Sequence, residues 1–136
     1  MVGRPVDLDV SKKKFQPGKE ILSISNLKVS DATGRALVSD INFSIREGEV
    51  LAIAGVQGNG QTELARAIMN LEEFVTGSIS IEGLELVGKT VRDSLHSGIA
   101  YVPESRELDG LISTFTIAEN LILDVFDLAP NAKGPM

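Results

Sequence analysis

Val50-Leu51-Ala52-Ile53-Ala54-Gly55-Val56-Gln57-Gly58-Asn59-Gly60-Gln61-Thr62 is the stretch on which the fold of this chain turns. Its first five residues form a short, continuously apolar run, the pattern of a strand covered on both faces at the centre of a parallel sheet. Glycines follow at once. Glycine takes positive φ without steric cost, so successive N–H groups can turn inward around an anion. From Thr62 to Leu71, the residues Leu64, Ala65, Ile68 and Leu71 recur at helical spacing among good helix formers. A helix starting there adds unpaired N–H groups and the positive end of its dipole. Strand, glycine turn and helix together are the setting a phosphate-binding loop requires. The spacing matches G-x-x-x-x-G-K-[ST] at every defined position except one, where Gln61 stands in place of the lysine. That lysine reaches the β- and γ-phosphates as a point charge, and a charge-assisted bond is worth ~1.5–3 kcal/mol. Glutamine donates a hydrogen bond without the charge, so nucleotide binding is expected to be about ten- to a hundredfold weaker.

Before this stretch, Ile21, Leu22, Ile24, Leu27 and Val29 alternate loosely with polar residues, and a turn follows at Asp31-Ala-Thr-Gly34. Leu37-Val38, Ile41, Phe43 and Ile45 make a second alternating stretch. The two read as an antiparallel pair with one polar face. After it, Gly77-Ser-Ile-Ser-Ile-Glu-Gly83 reads as a strand between glycines, and Val91–Ser97 as a short helix ending at Gly98. Ile99-Ala100-Tyr101-Val102 reads as a further buried strand stopped by Pro103, and Phe115–Leu123 as a helix capped by Thr114 or Thr116. Residues 1–20, with Lys12-Lys13-Lys14 and Pro17-Gly18, are sparse in apolar residues and read as a solvated linker. The spans expected are therefore linker 1–20, a β-subdomain with the phosphate-loop core over 21–102, and a loop with the start of a helical subdomain over 103–136.

Composition narrows the chemistry. The chain has 136 residues and a net charge of −6, which argues against a nucleic-acid partner, since such partners call for a basic face. There is no cysteine, so neither a disulfide scaffold nor a thiolate metal site is available. The apolar runs fall far short of the ~20 residues a membrane-spanning helix needs. The N-terminus carries no basic-then-apolar signal layout.

Several segments together resemble the nucleotide-binding subunit of ABC transporters, over nearly all of residues 21–126. Ser39-Asp-Ile-Asn-Phe-Ser-Ile-Arg-Glu-Gly-Glu-Val50 is similar to the family's lead-in to the phosphate loop, and Thr76-Gly77-Ser78-Ile79 with Ile81-Glu-Gly83 to its hairpin. Gly98-Ile-Ala-Tyr-Val-Pro-Glu-Ser-Arg106 with Asp109-Gly110-Leu111 resembles the variant Q-loop in the second ATPase domain of fused sugar- and nucleoside-import proteins. Thr116-Ile-Ala-Glu-Asn-Leu121 is similar to the opening of the helical subdomain, and Met1-Val-Gly-Arg4 to the close of a preceding ATPase domain. That subgroup often carries a degenerate phosphate loop, which Gln61 fits.

The resemblance implies an α/β chain, mixed with α+β character. It would be a partial P-loop NTPase core with an antiparallel β-subdomain and the start of a helical subdomain. It implies ATP and Mg²⁺ as ligands, with Gly55, Val56, Gln57, Gly58, Asn59, Gly60, Gln61, Thr62 and Glu63 around the nucleotide. Thr62 would ligate Mg²⁺, as would Glu104, which stands where the usual Q-loop glutamine would be. Arg106, Glu107 and Asp109 would lie on a mobile surface loop facing a permease. An adenine-stacking aromatic is expected within Lys28–Arg35, and none is there. No Leu-Ser-Gly-Gly-type signature and no apolar strand ending in Asp-Glu follows, so the chain itself carries no catalytic residue and resembles the first half of such a domain, an excerpt from a longer protein. The implied partners are transmembrane permease subunits and a second nucleotide-binding domain, at the cytoplasmic face of the membrane. A half-domain with an open sheet edge is also expected to self-associate.

Two other readings compete. One is a non-catalytic interaction module with a structural glycine loop. The other is a small NTPase of another family, disfavoured because no aspartate-bearing second strand follows the loop. His96 is expected as a solvated helix residue, Tyr101 and Phe115 as core, and Glu72, Glu73, Glu82 and Glu85 as solvent-facing.

Overall fold

The computed structural model describes residues 16–132. Four strands, β1 (Glu20–Ser30), β2 (Ala36–Arg46), β3 (Phe74–Ile81) and β4 (Leu84–Glu85), form one antiparallel sheet in the order β2-β1-β3-β4. Helix α1 (Gln61–Ile68) packs on one face, and α2 (Val91–His96) and α3 (Ile117–Leu121) follow. The chain is thus a mixed α/β fold, as expected. The antiparallel pairing of β1 with β2 is also as expected.

β1 lies at the sheet's interior and carries most of the core. Leu22, Ile24, Leu27 and Val29 are buried with Val38, Ile79, Leu86 and the α1 residues Leu64 and Ala67. Ile24 and Leu27 are three apart, which would put them on opposite faces of a regular strand. A bulge at Ser25–Asn26, with Asn26 at φ +50°, resets the alternation, and β2 answers with Asp40 at φ +54° between Val38 and Ile41. Asn42 Oδ1 accepts from the Asn26 N–H at 2.8 Å, pinning the two irregularities together. Opposite them, Gly77 sits at φ +100°, and a Cβ there would lie 2.5 Å from the Asn26 carbonyl oxygen.

Two expected strands do not form. Val50–Ala54 is irregular and exposed, with Val50 at 91% and Ile53 at 54%, and Ile99–Val102 is irregular as well, with Val102 at 84%. An apolar run signals a preference for burial, but a strand also needs a neighbour for its N–H and C=O groups. Among the described residues no strand pairs with either run.

The linker expected over 1–20 falls mostly on residues 1–15, outside the described residues, as does its likeness at Met1–Arg4. Its last residues, 16–20, are exposed apart from half-buried Gly18, and a few hydrogen bonds join them to the sheet. Gly18 N–H donates to the Glu47 carbonyl at 3.2 Å, Glu47 N–H donates to the Lys19 carbonyl at 2.9 Å, and the Lys19 ammonium pairs with Glu82.

α2 and α3 are short and depend on their N-terminal caps. Thr90 and Asp93 form a capping box on α2, and Thr116 and Glu119 form one on α3. Asn70, after α1, donates to the buried Ser94 hydroxyl at 2.9 Å and ties α2 to α1. Beyond Glu104, residues Arg106–Gly110 form a π-helical turn, and Ser105 accepts from Leu108 N–H at 3.3 Å. Among the described residues no helix is long and apolar enough to cross a membrane.

Candidate functional site

The glycine loop folds back from the end of β2 and lies against the start of the same strand. Gly58 and Gly60 both adopt left-handed backbone, at φ +87° and +93°. Gly60 is buried and is the N-cap of α1, with no side-chain acceptor on the helix's first N–H groups. Those donors and the helix dipole are what an anion would meet. A Cβ on Gly60 would come 2.7 Å from the Leu37 carbonyl oxygen and 3.2 Å from Val38 Cγ2, so the loop touches the β2 backbone.

Gln61 does not extend outward. Its amide Nε2 donates to the Val56 carbonyl at 3.3 Å and lies over Gly55, where a Cβ would be 1.8 Å away. The side chain therefore closes the loop on itself and brings no charge to its mouth. Val56, Gln57 and Asn59 are exposed on the loop, while Glu63 is half-buried in the first turn of α1.

Thr62 Oγ1 donates to Glu104 Oε2 at 3.4 Å across a separation of 42 residues. The structure thus brings the two expected Mg²⁺ ligands together at the helix start, both exposed. Hydroxyl and carboxylate oxygens are the hard donors Mg²⁺ takes, and it keeps several waters with one or two protein ligands. The pair fits such a role. Among the described residues no group of three or more His, Asp or Glu forms a metal cage.

Other expected positions gain partners that the sequence does not reveal. Glu72 accepts from Arg66 Nε at 2.6 Å, and that bond raises the guanidinium's pKa. Glu82 takes Lys19, and their hydrogen bond raises the ammonium's pKa. Glu85 is not merely solvated. Burial pushes its pKa up, but the Ser78 hydroxyl and the Ile79 and Val87 N–H groups, the last two at 3.0 Å, hold it below the usual carboxylate range. Glu73, Glu82 and Glu85 are exposed, as expected, and Glu72 is half-buried; Glu72, Glu82 and Glu85 each hold a hydrogen-bonded partner at the surface. Phe115 is 44% exposed and is not core, while Tyr101 is half-buried beside a cavity of about 390 Å³ between α1, α2 and the segment 108–124. His96 has a partner that local sequence does not reveal. Its Nε2 lies 3.2 Å from Asp127 Oδ2, which Arg92 Nε also meets at 3.1 Å, and the Asp127 side chain is only 7% exposed.

Residues 38–134 match the ABC transporter family. The chain belongs to that family. Among similar proteins, the guanosine import ATP-binding protein NupO of Bacillus subtilis is 38% identical over 130 residues, covering 96% of this chain and 26% of that protein. The nucleoside import ATP-binding protein NupA of Lactococcus lactis is 35% identical over 133 residues, covering 98% of this chain and 26% of its own. A ribose import ATP-binding protein, RbsA, of Oceanobacillus iheyensis is 36% identical over 121 residues, 89% of this chain and 23% of the relative. The chain spans about a quarter of the length of these relatives. An ABC transporter ATP-binding domain accounts for the setting of the glycine loop, between an antiparallel sheet and α1.

Proposed function

We propose that this chain is the nucleotide-binding part of an import ATP-binding subunit for a nucleoside or a sugar. The observation that carries the reading is the convergence of Gly55–Gly60, the open start of α1, and the Thr62–Glu104 pair at one place. ATP would lie with its phosphates over the loop residues Gly55 to Thr62, with Glu63 beside them. Thr62 and Glu104 would take up Mg²⁺, which neutralises phosphate charge when bound. The division into a β-subdomain with loop core over 21–102 and a following helical start over 103–136 belongs to the same reading. So does a degenerate, regulatory role for this copy, because Gln61 leaves the loop uncharged.

In the whole protein, ATP binding would clamp this domain on a second nucleotide-binding domain and hydrolysis would release it. Permease subunits would be driven from the cytoplasmic face of the membrane. The solutes in the relatives' names, guanosine, nucleosides and ribose, support that class. Exposed apolar residues such as Val50, Val102, Leu108, Ile117 and Leu121, each at least 78% exposed, favour self-association of this chain by itself. The inward Gln61 amide favours one other reading, an interaction module whose loop is only structural. Uptake of labelled guanosine and ribose by cells with and without the intact gene tests the transport reading. Loss of one uptake is expected, and unchanged uptake of both, with nucleosides and other sugars also unaffected, would overturn it.

A further inference from the structure

We propose that Arg35 is a nucleotide-binding residue of this site, supplying to the phosphate chain the positive charge that Gln61 does not. The inference rests on the nucleotide reading of the glycine loop. A cavity of about 340 Å³ beside the loop is lined by Arg35, Leu37, Gly58, Asn59, Gly60 and Glu63. Arg35 is the sole cation among those residues.

Its backbone is held in place from both sides. Asp31 N–H donates to the Arg35 carbonyl and Arg35 N–H donates to Asp31 Oδ1, each at 3.0 Å. The same carboxylate oxygen accepts from Thr33 N–H at 2.9 Å and Thr33 Oγ1 at 2.6 Å, closing a rigid turn. Two residues further on, the Leu37 carbonyl is the atom against which Gly60 packs. The turn, the start of β2 and the loop therefore form one continuous contact, and Arg35 stands at its rim.

The side chain makes no direct ion pair among the described residues, although its charge adds to the Thr33 hydroxyl bond in holding the Asp31 carboxyl low. Lys19, Arg66 and Arg92 are each engaged with a carboxylate, whereas Arg35 is exposed and forms no ion pair among the described residues. Asp31, the acidic group on its own turn, already accepts from three donors, the Arg35 and Thr33 N–H groups and the Thr33 hydroxyl. Glu63 faces the same cavity and opposes any phosphate that enters it. A guanidinium there offsets that carboxylate and offers phosphate oxygens a planar, two-pronged donor.

The test is calorimetric titration of Mg·ATP and of magnesium tripolyphosphate into the wild-type chain and the variants R35A, R35Q and R35K. R35Q keeps the aliphatic stem and removes the charge, and matched melting curves establish that each variant is folded. R35A and R35Q should weaken both ligands by about tenfold, the scale of one charge-assisted bond, with R35K retaining most of the affinity. Unchanged binding of both ligands by R35A and R35Q, with the wild type binding, would remove Arg35 from the site and leave the loop reading intact. A loss confined to ATP, with tripolyphosphate unaffected, would place the guanidinium on the base and overturn the phosphate assignment. A wild type that binds neither ligand overturns the loop reading and this proposal together.

Discussion

Replacing Gly60 by alanine, with Gly58→Ala as its control, separates backbone strain from the contact that seats the glycine loop on β2. Both glycines have left-handed φ, +93° and +87°, so each alanine meets a similar conformational cost of about 1–2 kcal/mol. Their surroundings differ. A Cβ at position 58 meets nothing within 4 Å, while one at position 60 meets the Leu37 carbonyl oxygen at 2.7 Å and Val38 Cγ2 at 3.2 Å. The first of these is backbone in a paired strand and cannot move alone, because Val38 is held opposite Val29. Forcing a methyl into such a space typically costs a further ~1–3 kcal/mol. G60A should therefore destabilise by about 2–5 kcal/mol and G58A by about 1–2 kcal/mol. Urea unfolding at neutral pH measures both, with the m-value showing whether the same surface is exposed. The difference between the two variants is the informative quantity. If G60A and G58A cost the same within error, the loop does not rest on β2 and the account of its seating is wrong.

Q61K should tighten Mg·ATP binding by about tenfold, since a charge-assisted bond of ~1.5–3 kcal/mol replaces a neutral one of ~0.5–1.5 kcal/mol; an unchanged Kd by calorimetry would mean that the loop mouth does not meet phosphate. The chain on its own should release no phosphate from millimolar Mg·ATP above the buffer rate, because Gln61 removes the loop cation and the sequence holds no adjacent Asp-Glu pair; turnover abolished by T62A would refute this. Stability should fall in acid. Hydrogen bonds from Thr33, Thr90 and Thr116 hold Asp31, Asp93 and Glu119 below their ordinary values of 3.8, 3.8 and 4.5, and Glu85 is held low despite partial burial. Lowered carboxylates stabilise fully above those ordinary values and lose the contribution as pH falls through the folded ones, so Tm should drop between pH 5 and about 3. A Tm unchanged over that interval would contradict the bonding described.

What the sequence made legible was local. The alternation in Ile21–Val29 and Leu37–Ile45, the helical spacing after Thr62, and the capping residue Thr116 all act within a few residues and reappear as β1, β2, α1 and α3. The glycine spacing likewise marks the loop on its own. Features that need a distant partner were not legible from pattern. Val50–Ala54 and Ile99–Val102 carry the composition of buried strands, but composition does not say which neighbour supplies the ladder. The link between Asp127 and the α2 pair Arg92 and His96 follows from how the segment after α3 packs. Glu104 entered through family resemblance, and its approach to Thr62 is a matter of tertiary folding. Arg35 gave no signal beyond being a charged residue after a turn, and only the return of the loop onto β2 makes it relevant.

The most direct test is calorimetric titration of Mg·ATP into this chain, repeated with EDTA and with T62A. A saturable exotherm with a Kd on the order of 0.1–1 mM, weak because the loop lacks its lysine, is the expected result. Removing magnesium or the Thr62 hydroxyl should weaken it by about tenfold. Absence of saturable binding at several millimolar nucleotide, or binding indifferent to both magnesium and Thr62, would contradict the assignment of the Gly55–Thr62 loop and Glu104 to a nucleotide.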